Sequence, residues 1–188
     1  MKDSPKNPPR NPRRILSVPA GNWLQAGGIL VGCVLLWLSS MPLHTALRVL
    51  AMIAGYLLIY FSSHSLIHFL AGTAVGIKFT HYSIGGTSHP ATFPPLIRPI
   101  FENTPFFAVH TDRDSLHSAG RWARALMFGS GIIATAIFST VASFYTFRAE
   151  VPGGTALLIF NAIWQVSSLI AESGGHGDLG KAASALRK

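Results

Sequence analysis

The chain has 188 residues, of which 49% are hydrophobic and 12% charged, about half the 25% charge of an ordinary soluble domain. The formal net charge is +8, but the basic residues sit in a tail and beside apolar runs, a pattern of membrane topology that excludes a phosphate-binding groove and a nucleic-acid partner. Cys33 is the single cysteine, so an intrachain disulfide and a cysteine-built metal cage are excluded as well.

Residues 1–20 read as a disordered, basic, proline-rich tail, with Pro5, Pro8, Pro9 and Pro12 among Lys2, Lys6, Arg10, Arg13 and Arg14. It holds too little apolar surface to fold, and its charge favours anionic headgroups. Residues 21–188 read as one transmembrane helical domain. The first helix is expected over 22–41. A basic stretch before an apolar run also describes a signal peptide, but no small-residue cleavage site follows, so an uncleaved anchor is expected. Leu30-Val31-Gly32-Cys33 matches a lipoprotein cleavage box only loosely, because the apolar run continues beyond the cysteine.

Met41-Pro42-Leu43-His44 makes a turn, and the second helix is expected over 45–75. The third spans 122–147 and ends at Arg148 and Glu150; after the turn at Pro152-Gly153-Gly154 the fourth spans 155–172. Charge is absent from 49–77, 125–147 and 151–171. Each interval is long enough for a hydrocarbon core, which takes about 20 helical residues. The fold class is therefore an all-α membrane protein of four transmembrane helices, with a partly extended cytoplasmic segment between helices two and three. That segment, 76–120, carries the helix breakers His89-Pro90, Phe93-Pro94-Pro95 and Arg98-Pro99. Lys78–Ile84, closed by Gly85-Gly86, reads as a short strand, and Phe106-Phe107 suits a membrane surface.

With the N-terminus cytoplasmic, the tail, the 76–124 segment and the C-terminus place thirteen Lys/Arg inside, and only Arg48 and Arg148 lie outside. The positive-inside rule then sets a multi-pass cell-membrane protein with both ends cytoplasmic.

Polar groups at membrane depth are costly unless satisfied. His64 and His68, four residues apart, share one face of the second helix, a spacing that lets two imidazoles bind one metal ion. Helix four ends near Asp178, and the topology brings it out at the depth of the histidines. It is the candidate third ligand. The plainer readings are histidines bonded to neighbouring helices and a solvated acid.

The order of these features resembles the site-2 protease family of intramembrane zinc metalloproteases. His64 and His68 match that family's histidine pair, usually HExxH. Leu70-Ala71-Gly72 and Val75-Gly76-Ile77-Lys78 look like the stretch after it, Ser118-Ala119-Gly120 like the opening of the next helix, and Asp178 like the aspartate ligand. The resemblance covers about residues 45–185 and implies Zn2+ as cofactor and transmembrane helices as partners besides the lipid bilayer. Two departures stand out. The family's general-base glutamate is Ser65 here, and a serine hydroxyl has no useful basicity at neutral pH. The asparagine expected shortly after Gly120 is absent, where Arg121 and Arg124 stand instead. Glu172 is the candidate substitute base, or else a capping charge at the helix end. The resemblance thus implies a metalloprotease-like membrane protein impaired or inactive in proteolysis, a pseudoenzyme.

Two other readings compete. A non-enzymatic scaffold or transporter subunit fits the small residues Gly129, Ser130, Gly131 and Ala134, which support helix association. A membrane di-iron hydroxylase would use the eight histidines (His44, His64, His68, His81, His89, His110, His117, His176), yet there is one HxxxH and no HxxHH box. His110, Asp112, Asp114 and His117 resemble a metal cluster in composition but read as solvated loop residues.

Overall fold

The computed structural model describes residues 14–85, 99, 106–174 and 177–187. Its elements are β1 (Arg14–Leu16), α1 (Val18–Ser39), α2 (Thr45–Ala74), β2 (Phe79–Gly85), β3 (Phe106–Thr111), α3 (Arg113–Ser118), α4 (Arg121–Arg148), α5 (Gly154–Glu172) and α6 (Asp178–Arg187). Four helices, α1, α2, α4 and α5, are long and apolar enough to cross a membrane. Most of their large apolar side chains, such as Leu30, Ile137 and Ile163, face outward. That is inside-out for a water-soluble bundle and ordinary for one surrounded by lipid.

α4 is the most enclosed of the four helices, packing on α2, α5 and α6. The contacts among α2, α4 and α5 are polar as well as apolar. Tyr56 donates to Asn161 Oδ1 at 2.8 Å, Asn161 Nδ2 to Thr140 Oγ1 at 3.2 Å, Gln165 Nε2 to Ser139 Oγ at 2.7 Å, and Trp164 Nε1 to the Tyr60 hydroxyl at 2.8 Å. With little hydrophobic drive between helices in lipid, such bonds and close backbone packing hold the bundle. The close packing is clearest between α1 and α2. A Cβ on Gly32 would lie 2.9 Å from the Gly55 carbonyl oxygen, and one on Gly55 would lie 2.8 Å from that of Gly32. Gly55→Leu is therefore expected to destabilise the detergent-solubilised protein by about 1–3 kcal/mol, the range for overpacking. Gly27→Leu, with nothing within 4 Å of its added Cβ, should stay within about 0.5 kcal/mol. Thermal unfolding of the two variants checks the contrast.

The two short connections meet at one end. Arg48 Nε donates to the Ser39 carbonyl at 2.9 Å and Arg48 Nη2 to that of Glu150 at 3.4 Å, while the Tyr145 hydroxyl donates to Ser40 Oγ at 3.1 Å. The sheet follows the opposite end of α2. It is antiparallel in the order β1-β2-β3, with Ile15 opposite Ser83, Tyr82 opposite Val109 and an irregularity between Phe79 and His81. Tyr82 is fully buried; its ring lies where a Cβ on Gly21 would fall, and its hydroxyl donates to Asn22 Oδ1 at 2.7 Å. Ser65 Oγ, on α2, donates to the Phe107 carbonyl at 2.7 Å and fastens β3 to the helix.

The second, third and fourth apolar helices lie within a residue of their expected bounds. The first starts earlier, at Val18 rather than 22, because Ser17 is extended (φ −62°, ψ 155°), accepts from the Ala20 N–H at 3.4 Å and is followed by a proline in the first turn. β1 and this first turn fall inside the 1–20 stretch expected to be disordered, where pairing with β2 orders Arg14–Leu16; residues 1–13 lie outside the described residues. The expected strand Lys78–Ile84 is β2, while β3 and α6 were not anticipated.

Candidate metal centre

The histidine-bearing turn of α2, the middle of α4 and the first residue of α6 meet at one point. His64 Nε2 lies 3.2 Å from His68 Nε2, and Asp178 Oδ2 lies 3.2 Å from the first and 3.0 Å from the second. Three ligands each about 2.0–2.1 Å from a tetrahedral zinc are about 3.3 Å apart. The observed triangle is within a few tenths of an ångström of that. Among the described residues, this is the one group of three or more His, Cys, Asp or Glu side chains whose ligand atoms lie close enough to hold a metal ion.

The far side of each ring decides what the near side presents. His68 Nδ1 is 2.6 Å from the Met127 carbonyl oxygen. A carbonyl only accepts, so Nδ1 carries the proton that it shares with Met127, and Nε2 is turned inward toward Asp178. His64 Nδ1 is 3.2 Å from Thr135 Oγ1, whose own hydroxyl donates to the Gly131 carbonyl at 2.9 Å. Its free lone pair then takes the His64 Nδ1–H, and the second Nε2 also faces inward. This is the outer-shell arrangement typical of metal-ligating histidines.

Asp178 is held as firmly. Its Oδ1 accepts from Lys181 Nζ at 2.9 Å, and its backbone N–H donates to Glu172 Oε2 at 2.6 Å. Burial alone would push the Asp178 carboxyl up. The hydrogen bonds from His64 and His68, with the charges of His68 and Lys181, outweigh it and hold the group well below the usual carboxylate range. Oδ2 therefore stands ready as an anionic ligand.

Glycine makes the room. A Cβ on Gly131 would lie 2.5 Å from His68 Cδ2 and 2.6 Å from Cε1, and closer still to Nε2. A Cβ on Gly177 would collide with the Glu172 carbonyl oxygen, so the chain approaches Asp178 along a path that admits no side chain.

The three residues expected as ligands thus converge, drawn from two separate helices. Glu172 stands beside them as the cap on the first N–H of α6. The other described histidines lie elsewhere: His44 caps α2, accepting from the Ala46 N–H at 3.3 Å, and His81 stacks on His110 across the sheet at 4.4 Å. Asp112 caps α3, accepting from the Ser115 N–H at 2.8 Å. His89 and His176 lie outside the described residues. Sequence reasoning missed Met127, Thr135 and Gly131. The i, i+4 spacing of Gly131 and Thr135 puts them on one face of α4, which is the one signal that pointed to them.

No family model matches the chain, and neither the curated proteins nor the solved structures contain a match.

Proposed function

We propose that this chain is a multi-pass membrane zinc protein, laid out like a site-2 protease and impaired in proteolysis. The observation that carries the reading is the triangle of His64 Nε2, His68 Nε2 and Asp178 Oδ2 with sides of 3.0–3.2 Å, its two imidazoles oriented from behind. Two imidazoles and one carboxylate suit Zn2+, and three protein ligands leave a fourth position open, as in catalytic zinc sites. Bound there, zinc would supply Lewis-acid polarisation and acidify a water ligand.

The impairment is argued from Ser65. It stands where the family's glutamate would take a proton, it is buried, and its hydroxyl is committed to the Phe107 carbonyl. β3 thus lies against the place from which a carboxylate would reach the centre. Glu172 is the nearest candidate to replace that base, but its Oε2 is engaged by the Asp178 N–H; we assign it to holding the ligand. The same loss favours a scaffold role, in which the metal organises the bundle for lipid and partner transmembrane helices.

The test is metal content. Protein purified in detergent without a polyhistidine tag should carry about one zinc per chain by mass spectrometry, matching one three-ligand site, and should not cleave a transmembrane peptide. Zinc-free wild type after exposure to excess zinc would sink the proposal. For orientation, we propose cytoplasmic termini in the cell membrane: a reporter fused after Lys188 should be active only in the cytoplasm, and periplasmic or external activity would reverse the assignment.

A further inference from the structure

We propose that the cation is the clasp that docks α6 on the bundle, so that metal occupancy is converted into docking or release of the C-terminal helix. This rests on the zinc reading above. α6 spans ten residues, below the length of about 12–15 at which an isolated helix becomes even marginally stable in water. It must therefore be held by tertiary contacts, to α4 and, through Asp178, to the histidines of α2. Its two buried residues are Gly180 and Ala185, which contribute little side-chain area. Ala182 lies beside Gly129 of α4, where a Cβ added to the glycine would be 4.0 Å from the Ala182 methyl. Lys181 lies over the Phe128 ring at 5.7 Å, half-exposed, a weak contact at such a site.

What remains is Asp178. It is the first residue of α6, and its Oδ2 is the contact with the histidines of α2. The orienting bonds at Met127 and Thr135 place a proton on the far nitrogen of each imidazole. Both Nε2 atoms and the Asp178 carboxylate oxygen then lie within 3.0–3.2 Å of one another. A divalent cation bonded to all three atoms would tie α6 directly to α2. Metal occupancy would thus add to the attachment of α6, while the four spanning helices pack without it. The protein would act as a cation-responsive switch, displaying or withdrawing a helix that carries Lys181 and Arg187 next to the membrane surface.

Hydrogen exchange on the full chain in detergent micelles, with zinc measured on the same samples, tests this. Removing zinc with a chelator should speed exchange over 178–187 at least about tenfold while α2 and α4 stay protected, as expected of a locally opening unit. His64→Ala should need at least about tenfold more zinc than the wild type to protect α6. If chelation strips the zinc and α6 keeps its protection, the clasp is wrong and the zinc site survives. If the wild type takes up no zinc, both fall. Should His64→Ala fail to fold, shown by fast exchange in α4, the chelation of wild type decides alone.

Discussion

Replacing His68 with alanine is expected to lower bound zinc from about one per chain to less than a tenth of that, since outer-shell changes alone cost about 10–100-fold in affinity and a ligand is worth more. The expectation is specific because little else depends on this ring. The Met127 carbonyl that it engages also accepts from Ser130 Oγ at 2.9 Å, so removing the imidazole does not orphan a buried acceptor. His64→Ala should be milder. The His64 side chain is 31% exposed against 9% for His68, so water can enter and take the vacant coordination position. Asp178→Asn keeps the shape and loses the charge, and should fall between them. Zinc content and competition with a chromophoric chelator would rank the three. His68→Ala protein that retains zinc at wild-type affinity would refute the site.

The parts of the molecule that were legible from residue order are those where one physical requirement dominates. Charge-free stretches such as 125–147 must find lipid or a core, and they became α2, α4 and α5 almost to the residue. α6 was not legible. Its apolar stripe, Leu179, Ala182, Ala183 and Leu186, is half alanine and is interrupted by the helix-weakening Gly180, and the helix packs on α4. β1 was hidden for a similar reason: Arg14-Ile15-Leu16 becomes a strand only because β2 lies beside it. At the centre, the ligand side chains were legible because histidines one helical turn apart at membrane depth are rare and costly. Their orienting partners were not. Met127 contributes a backbone carbonyl, which every residue has. Gly131 looked like one more small residue for helix packing, and only the position of the His68 ring gives it a particular task.

That task yields the sharpest expectation. Gly131→Ala should empty the centre as thoroughly as His68→Ala, although it removes no ligand. The added methyl would lie 2.5 Å from His68 Cδ2 and 2.6 Å from Cε1, inside any tolerable carbon–carbon contact. The ring has little freedom to move away, because its Nδ1 is tied to the Met127 carbonyl at 2.6 Å and His68 is buried in the α2–α4 interface. Turning it breaks that bond and swings Nε2 off the line to Asp178. Helix stability runs the other way: alanine favours a helix over glycine by about 0.8–1.0 kcal/mol, so lost zinc could not be blamed on a weakened α4. Gly129→Ala, two positions earlier, supplies the comparison. Its nearest neighbours are 4.0 Å from the added methyl, and it should keep its zinc. Circular dichroism would confirm that both variants remain helical, and zinc titration would separate them. Equal zinc affinity in Gly131→Ala and wild type would mean that the His68 imidazole does not occupy the position on which the whole centre is argued.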